Sequence, residues 1–395
     1  GVIGLISDNG FASTPCKNII LRNIVVDGQD KGSTRVGIYL GQVSTFPGAA
    51  TVTGNNNILI ENCWVYSVQE GIILWGPTST RDQNNIVRGC KVGHPTLALS
   101  WGGGSQSSGI VVANQNGIKI EKDTIFNASS STSYAYTGIA VGYRPQSSSP
   151  AVCTNAHIAQ NWIHSIAYTG TGGEQTYGIR IHAGSVAPAN IYVYNNFVSD
   201  ISSDGYSSPA GLWNAYGIYL EGSSNSNAGV YIYHNSIRLY GNPTPSSSGS
   251  NPSCLAIASS ITGGVYVKNN IFQNTQTPST ASNNHTTIAI AYQGSSGSVF
   301  AELDNNAYFV KNYNGSQYAF VGALGSNRYS TLSAWAAAVG GSREQNSIAL
   351  ADSLPFVSFT DLHLPTSAAE LPIEGGGVLI TSPISITTDI DGNPR

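Results

Sequence analysis

Apolar and polar positions along this 395-residue chain fall into a six-residue phrase that returns nine times. It reads apolar, two mostly polar residues, usually a small amide or thiol, any residue, apolar. The clearest copies are Ile60-Glu61-Asn62-Cys63-Trp64-Val65 and Val193-Tyr194-Asn195-Asn196-Phe197-Val198. The fourth position falls on Ile24, Cys63, Cys90, Asp123, Asn161, Asn196, Asn235, Asn270 and Asn306, in steps of 39, 27, 33, 38, 35, 39, 35 and 36 residues. A period in this range that carries strand-type alternation marks a solenoid made by stacking like units.

A second phrase, a glycine followed by apolar alternation, accompanies the first. It appears as Gly37-Ile38-Tyr39-Leu40, Gly71-Ile72-Ile73-Leu74, Gly109-Ile110-Val111-Val112, Gly138-Ile139-Ala140-Val141, Gly178-Ile179-Arg180-Ile181 and Gly217-Ile218-Tyr219-Leu220. Two short strands per repeat, each stacked in parallel on its counterpart about 4.8 Å away, predict an all-β parallel β-helix. The predicted solenoid takes residues 1–324 and about nine to eleven coils. Ser/Gly/Thr-rich stretches such as Ala128–Thr137 and Pro243–Pro252 are expected to loop out of it. Residues 325–395 are expected to form a closing region, with one short helix near Tyr329–Trp335 and extended segments packed on the solenoid.

Five successive coils place Asn at the fourth position: Asn161, Asn196, Asn235, Asn270 and Asn306. Stacked in register, each amide bonds the ones above and below, so these residues are expected to form a structural ladder. Cys63 and Cys90 take the same place in adjacent coils. Parallel Cβ vectors suit a disulfide poorly, which favours buried free thiols there.

These phrases resemble the right-handed parallel β-helix superfamily, the pectate-lyase-like fold, over about Ile19 to Leu324. The right hand is implied by that resemblance. The closing order Tyr329–Trp335, Asp361-Leu362-His363-Leu364 and Asp389-Ile390-Asp391-Gly392-Asn393-Pro394-Arg395 resembles the tail of secreted bacterial β-helix proteins. The resemblance implies a secreted, extracellular or cell-surface protein. Many members cut polysaccharides, yet the Arg-x-x-Pro-x-x-Arg pattern and Asp-rich calcium sites of pectate lyases do not occur, nor does the polygalacturonase set.

Composition narrows the partners. Charged residues make up 10% of the chain, formal net charge is −4, and no Lys/Arg cluster stands out, which argues against nucleic acid. No apolar run approaches the roughly 18 residues of a membrane helix. The chain has no Met and opens at Gly1 inside a strand pattern, as expected of a processed product or an excerpt. No metal-ligand spacing or cofactor motif emerges.

Candidate chemistry is sparse. Glu61 and Glu121 flank Arg88 on an outward row, about 9.6 Å apart by stacking. That spacing could serve a glycosidase, but Arg22-Glu61-Arg88-Glu121 reads better as an ion-pair ladder. Arg180 and His182, with Glu174, Asp200 and Asp204 nearby, form the best cluster for a lyase base and charge clamp. A solvated Arg-x-His is more often surface decoration, so no residue is assigned a catalytic role. Tyr192, Tyr231 and Tyr266, with Tyr194 and Tyr233 two positions on, are expected to form a stacked outward stripe. That stripe either binds sugar rings or pairs beneath a covering segment. The expected function is a non-enzymatic structural or adhesive extracellular module that binds a glycan or itself, with end-to-end filaments allowed by open strand edges. A polysaccharide lyase or glycosidase is the first alternative and a phage-tailspike-like receptor binder the second.

Overall fold

The structure, a computed structural model, describes residues 3–6, 15–32, 35–41, 54–78, 80–104, 106–131, 136–145, 147–184, 186–205, 213–224, 226–246, 249–280, 284–365 and 370–395. Aliphatic alternation drives three long sheets, not two, and a short parallel sheet of Asp82–Gln83, Gln115–Asn116 and Cys153–Thr154 stands beside them. One coil runs from sheet II (Ile191–Tyr194) through a corner to sheet III (Phe197–Ser202). It then crosses a loop to sheet I (Ala215–Glu221) and returns to sheet II at Val230–Tyr233. The six-residue phrase is therefore a corner between two strands. Its third position (Asn23, Asn62, Gly89, Lys122, Gln160, Asn195, His234, Asn269 and Asn305) has φ between 51° and 64° in all nine copies. Asn and Gly tolerate this left-handed conformation best, which explains their frequency there. Sheet II stacks nine strands from Ile20–Arg22 to Phe300–Asp304, so eight full turns separate its first and last, slightly fewer than predicted.

Local differences have local causes. The loop predicted from Ala128 begins later, because the sheet III strand continues as Thr124–Ser130 with Asn127 in the left-handed region. The strand pattern at Gly1 is seen as Ile3–Ile6, parallel to Ile38–Gly41, while residues 1–2 lie outside the described residues. The recurrent glycine of the second phrase is a packing requirement. A Cβ on Gly71 would meet the Gly109 carbonyl oxygen at 2.2 Å and Val92 Cγ1 at 2.5 Å.

The core runs the length of the solenoid, and the ladder lines one edge of it. Asn196 Oδ1 accepts the backbone N–H and the Nδ2 of Asn161, both at 3.0 Å, and the pattern repeats up to Asn306. Each Nδ2 also donates to a carbonyl of the preceding coil, as Asn161 does to Ile120 (2.9 Å) and Asn235 to Val193 (2.9 Å). Cys63 and Cys90 are free thiols that donate to the carbonyls of Leu21 and Ile60 in the same manner. Asp123 is the exception. Its Oδ1 accepts from the Cys90 N–H at 2.7 Å, but the buried Oδ2 stands where its neighbours carry a donor and has no hydrogen-bond partner. A carboxylate cannot donate, so a proton on Oδ2 is what completes this rung. Burial accordingly pushes the Asp123 carboxyl well above the ordinary carboxylate range.

Beyond residue 324 the chain packs on the C-terminal end of the solenoid. Asn327–Tyr329 pairs antiparallel with the last sheet I strand, Ala319–Leu324, and Ile348–Ala349 extends sheet III. Helix α1 (Leu332–Val339), N-capped by the Thr331 hydroxyl, buries Trp335 against Gly322 and Phe300. Glu344 then accepts hydrogen bonds from Tyr308 Oη (2.6 Å) and Trp335 Nε1 (2.8 Å). Sheet II ends on Phe300–Asp304, where the Glu344 N–H donates to Leu303 O and the Asn346 N–H to Asp304 Oδ1.

From there the chain returns along the corner between sheets II and III. The left-handed corner residues hold it by their side chains. Asn305 donates to Gly376 O, Asn269 to Val378 O, Asn195 to Thr388 O and Gln160 to Asp389 O, at 2.7–3.0 Å. Leu354, Phe356 and Leu362 pack on Phe197.

Candidate functional site

The outward faces of the three sheets differ. On sheet II the row Arg22, Glu61, Arg88, Glu121 is the expected ion-pair ladder, with Arg22–Glu61 and Arg88–Glu121 each at 2.6 Å. Arg88 also approaches Glu61 at 3.6 Å, so the two glutamates serve an intervening cation.

Further along the same sheet the predicted tyrosine stripe forms. Tyr192, Tyr231 and Tyr266 are in register, with near-parallel rings 5.0 and 4.5 Å apart. The returning tail lies against it: Ile380 and Ile386 are buried with Tyr233 and pack on Tyr194, Tyr231 and Tyr266. The stripe is thus joined to a segment of its own chain.

Sheet I carries the third pattern. In register, its outward row reads Tyr39, Ile73, Val111, Ala140, Arg180, Tyr219, Ala256, Ala291 and Ala323. All of these residues are buried, and Arg180 is the one ionisable group among aliphatics and phenols. Its guanidinium lies 4.1 Å over the Tyr143 ring and 4.9 Å from the Tyr177 ring, and Nη2 contacts Glu221 Oε1 at 2.9 Å. Tyr143 Oη donates to the same carboxylate, and Tyr219 Oη reaches Oε2 at 3.5 Å. Burial works against the Arg180 charge, yet these rings and Glu221 raise its pKa. Burial pushes the Tyr143 phenol well up, and Glu221 adds to that.

Beside this cluster opens a cleft of about 430 Å³. Glu174, Gln175, Tyr177, Arg180, Trp213 and Glu221 line it. The Trp213 ring is exposed. Glu174 is half-buried, and its backbone N–H donates to Asp204 Oδ1 at 2.9 Å. Burial, then the negative Asp204, raise the Glu174 pKa. The cleft therefore offers two carboxylates in different settings, a buried cation and the exposed Trp213 ring, with Tyr177 buried behind it.

A family model for the right-handed β-helix region matches residues 19–237, more than half of the chain. The chain belongs to the right-handed β-helix family. No curated protein and no solved structure is detectably similar. In this β-helix the predicted pair Arg180 and His182 is brought together, but not on a solvated face. Both side chains are buried. His182 Nδ1 accepts from Gly184 N (2.9 Å), its ring meets Tyr143 edge-on at 5.7 Å, and burial lowers its pKa. Of that pair only Arg180 lines the cleft. Asp204 supports Glu174 from behind, whereas Asp200 belongs to a sheet III strand. Glu221, Tyr143, Tyr177 and Trp213 escaped sequence reasoning. One signal was present: in the six clear copies of the glycine phrase, the third position is charged only at Arg180.

Proposed function

We propose that this β-helix recognises a glycan in the cleft over sheet I, as an extracellular adhesive module does. The observation that carries the reading is the Arg180–Glu221 pair, set with Glu174, Tyr177 and Trp213 in an otherwise apolar row. Aromatic faces stack on sugar rings, while carboxylates and amides bond hydroxyls, and a concave site that combines them suits a saccharide chain. A Trp213→Ala variant tests it: glycan retention falls at least about tenfold, the scale of one lost aromatic contact. A wild-type protein that retains no glycan from a broad array overturns the reading.

One observation favours a second reading, glycosidic cleavage. Burial and then Asp204 raise the Glu174 pKa, while Glu221 is held by Arg180 and two phenols. A carboxyl pair with divergent environments is what acid-assisted hydrolysis requires. New reducing ends released by wild type and abolished in Glu174→Gln support cleavage; retention of glycans without release supports pure recognition.

A further inference from the structure

We propose that the cleft over sheet I selects glycans that carry no carboxylate; this rests on the glycan reading above. The sugars most demanding of a cation are the uronates, and the cleft has little to offer them. Among the described residues, Arg180 is the only Lys or Arg lining it. That cation is already paired: its Nη2 donates to Glu221 Oε1 at 2.9 Å, its faces lie against Tyr143 and Tyr177, and its Nε is buried. Two carboxylates, Glu174 and Glu221, line the same space, so the lining carries a formal charge of +1 − 2 = −1. Asp204 stands behind Glu174 and adds to the negative side. Residues 105, 146 and 206–212, close in sequence to the lining residues Gln106, Ser148 and Trp213, include no Lys or Arg. A uronate would thus bring like charge into a partly dehydrated cleft, an arrangement that interfaces use to reject wrong partners.

The remaining lining suits hydroxyl groups. Trp213 presents an exposed ring, and Gln175, Gln106 and Ser148 supply uncharged donors and acceptors. The Glu174 carboxylate accepts no side-chain hydrogen bond among the described residues, which leaves it available to a sugar hydroxyl.

Calorimetric titration of the full chain with two panels of hexasaccharides tests the inference. One panel is neutral (glucose, xylose, mannose and galactose backbones); the other is uronic (galacturonate, glucuronate and mannuronate). The best neutral hexaose is expected to bind at least about tenfold more tightly than any uronate at physiological salt. Glu221→Gln releases the Arg180 charge and raises uronate affinity at least about tenfold over wild type. Glu174→Gln, which leaves the Arg180–Glu221 pair intact, raises it by a smaller factor and keeps the test valid where the first variant folds poorly. A uronate that binds wild type more tightly than every neutral hexaose overturns the selection and leaves the glycan reading standing. No binding of either panel overturns both.

Discussion

The asparagine ladder and the Arg180 cluster are both buried polar features of the same solenoid, and they differ in one respect. The ladder recurs coil after coil, and every member satisfies the next: Asn161 bonds Asn196, which bonds Asn235. Arg180 occurs once, in a row that is aliphatic or phenolic elsewhere, and its partners come from outside its row, from Glu221 and Tyr143. A repeated polar column stabilises a coil stack. A polar group that interrupts a repeat must be held by singular partners, and that arrangement leaves a charged, shaped surface for a ligand. Repetition marks scaffold, and interruption marks the candidate site.

The largest expected effect breaks the ladder. Asn235 Oδ1 accepts both the backbone N–H and the Nδ2 of Asn196, so Asn235→Leu strands two buried donors and costs about 2–5 kcal/mol in unfolding free energy. Denaturant unfolding measures this, and the cleft is expected to keep its ligand wherever the variant is folded.

Next comes the cluster. Arg180→Met leaves Glu221 without its cation and costs about 3 kcal/mol, while the double variant Arg180→Met/Glu221→Gln recovers a large part of that loss but not glycan binding. Thermal unfolding and a binding isotherm of both variants separate the two outcomes. A ladder residue would show the opposite, with stability and binding lost together only on unfolding.

A smaller effect sharpens the ladder itself. Asp123 has a pKa raised by burial, and Asp82 and Glu344, also chiefly through burial, are pushed up to about 7. Their folded values exceed the unfolded ones, so the folded state binds these protons more tightly. Stability is therefore full below about pH 4 as far as these groups decide it, and falls as pH rises toward 7. Asp123→Asn supplies the missing donor permanently and is expected to flatten that decline, seen as a melting temperature that drops less between pH 5 and 7.5. Cys90, Arg88, Glu121 and Lys122, and His363 and Asp391 of the returning tail, surround this position. The decline common to wild type and variant reports the other groups. The smallest effect is at the exposed row: Arg88→Ala costs no more than about 1 kcal/mol by the same unfolding assay, because solvent screens both of its pairs.

This contrast also explains what could be read from the chain. The stacked phrase, the ladder residues and the Arg22–Glu61 and Arg88–Glu121 ion pairs recur coil after coil, so each copy supports the others. The third strand per coil was less visible, because the phrase that contains it is bent at its own left-handed residue, as at Asn195. The tail's course was hidden because its partners are single side chains such as Asn305, Asn269 and Gln160, whose role in the corner gave no hint of a second bond outward. The cleft was the least legible. Glu174 precedes one sheet I strand, Trp213 precedes the next and Glu221 ends it, and only Arg180 stood in a periodic row where its charge could be noticed.

Diffraction from crystals grown with the tightest-binding hexaose tests the central claim most directly. The account predicts a sugar ring stacked on Trp213, with hydroxyls bonded to Glu174 or Glu221. A saccharide lying along Tyr192, Tyr231 and Tyr266, with the sheet I cleft empty, would contradict it.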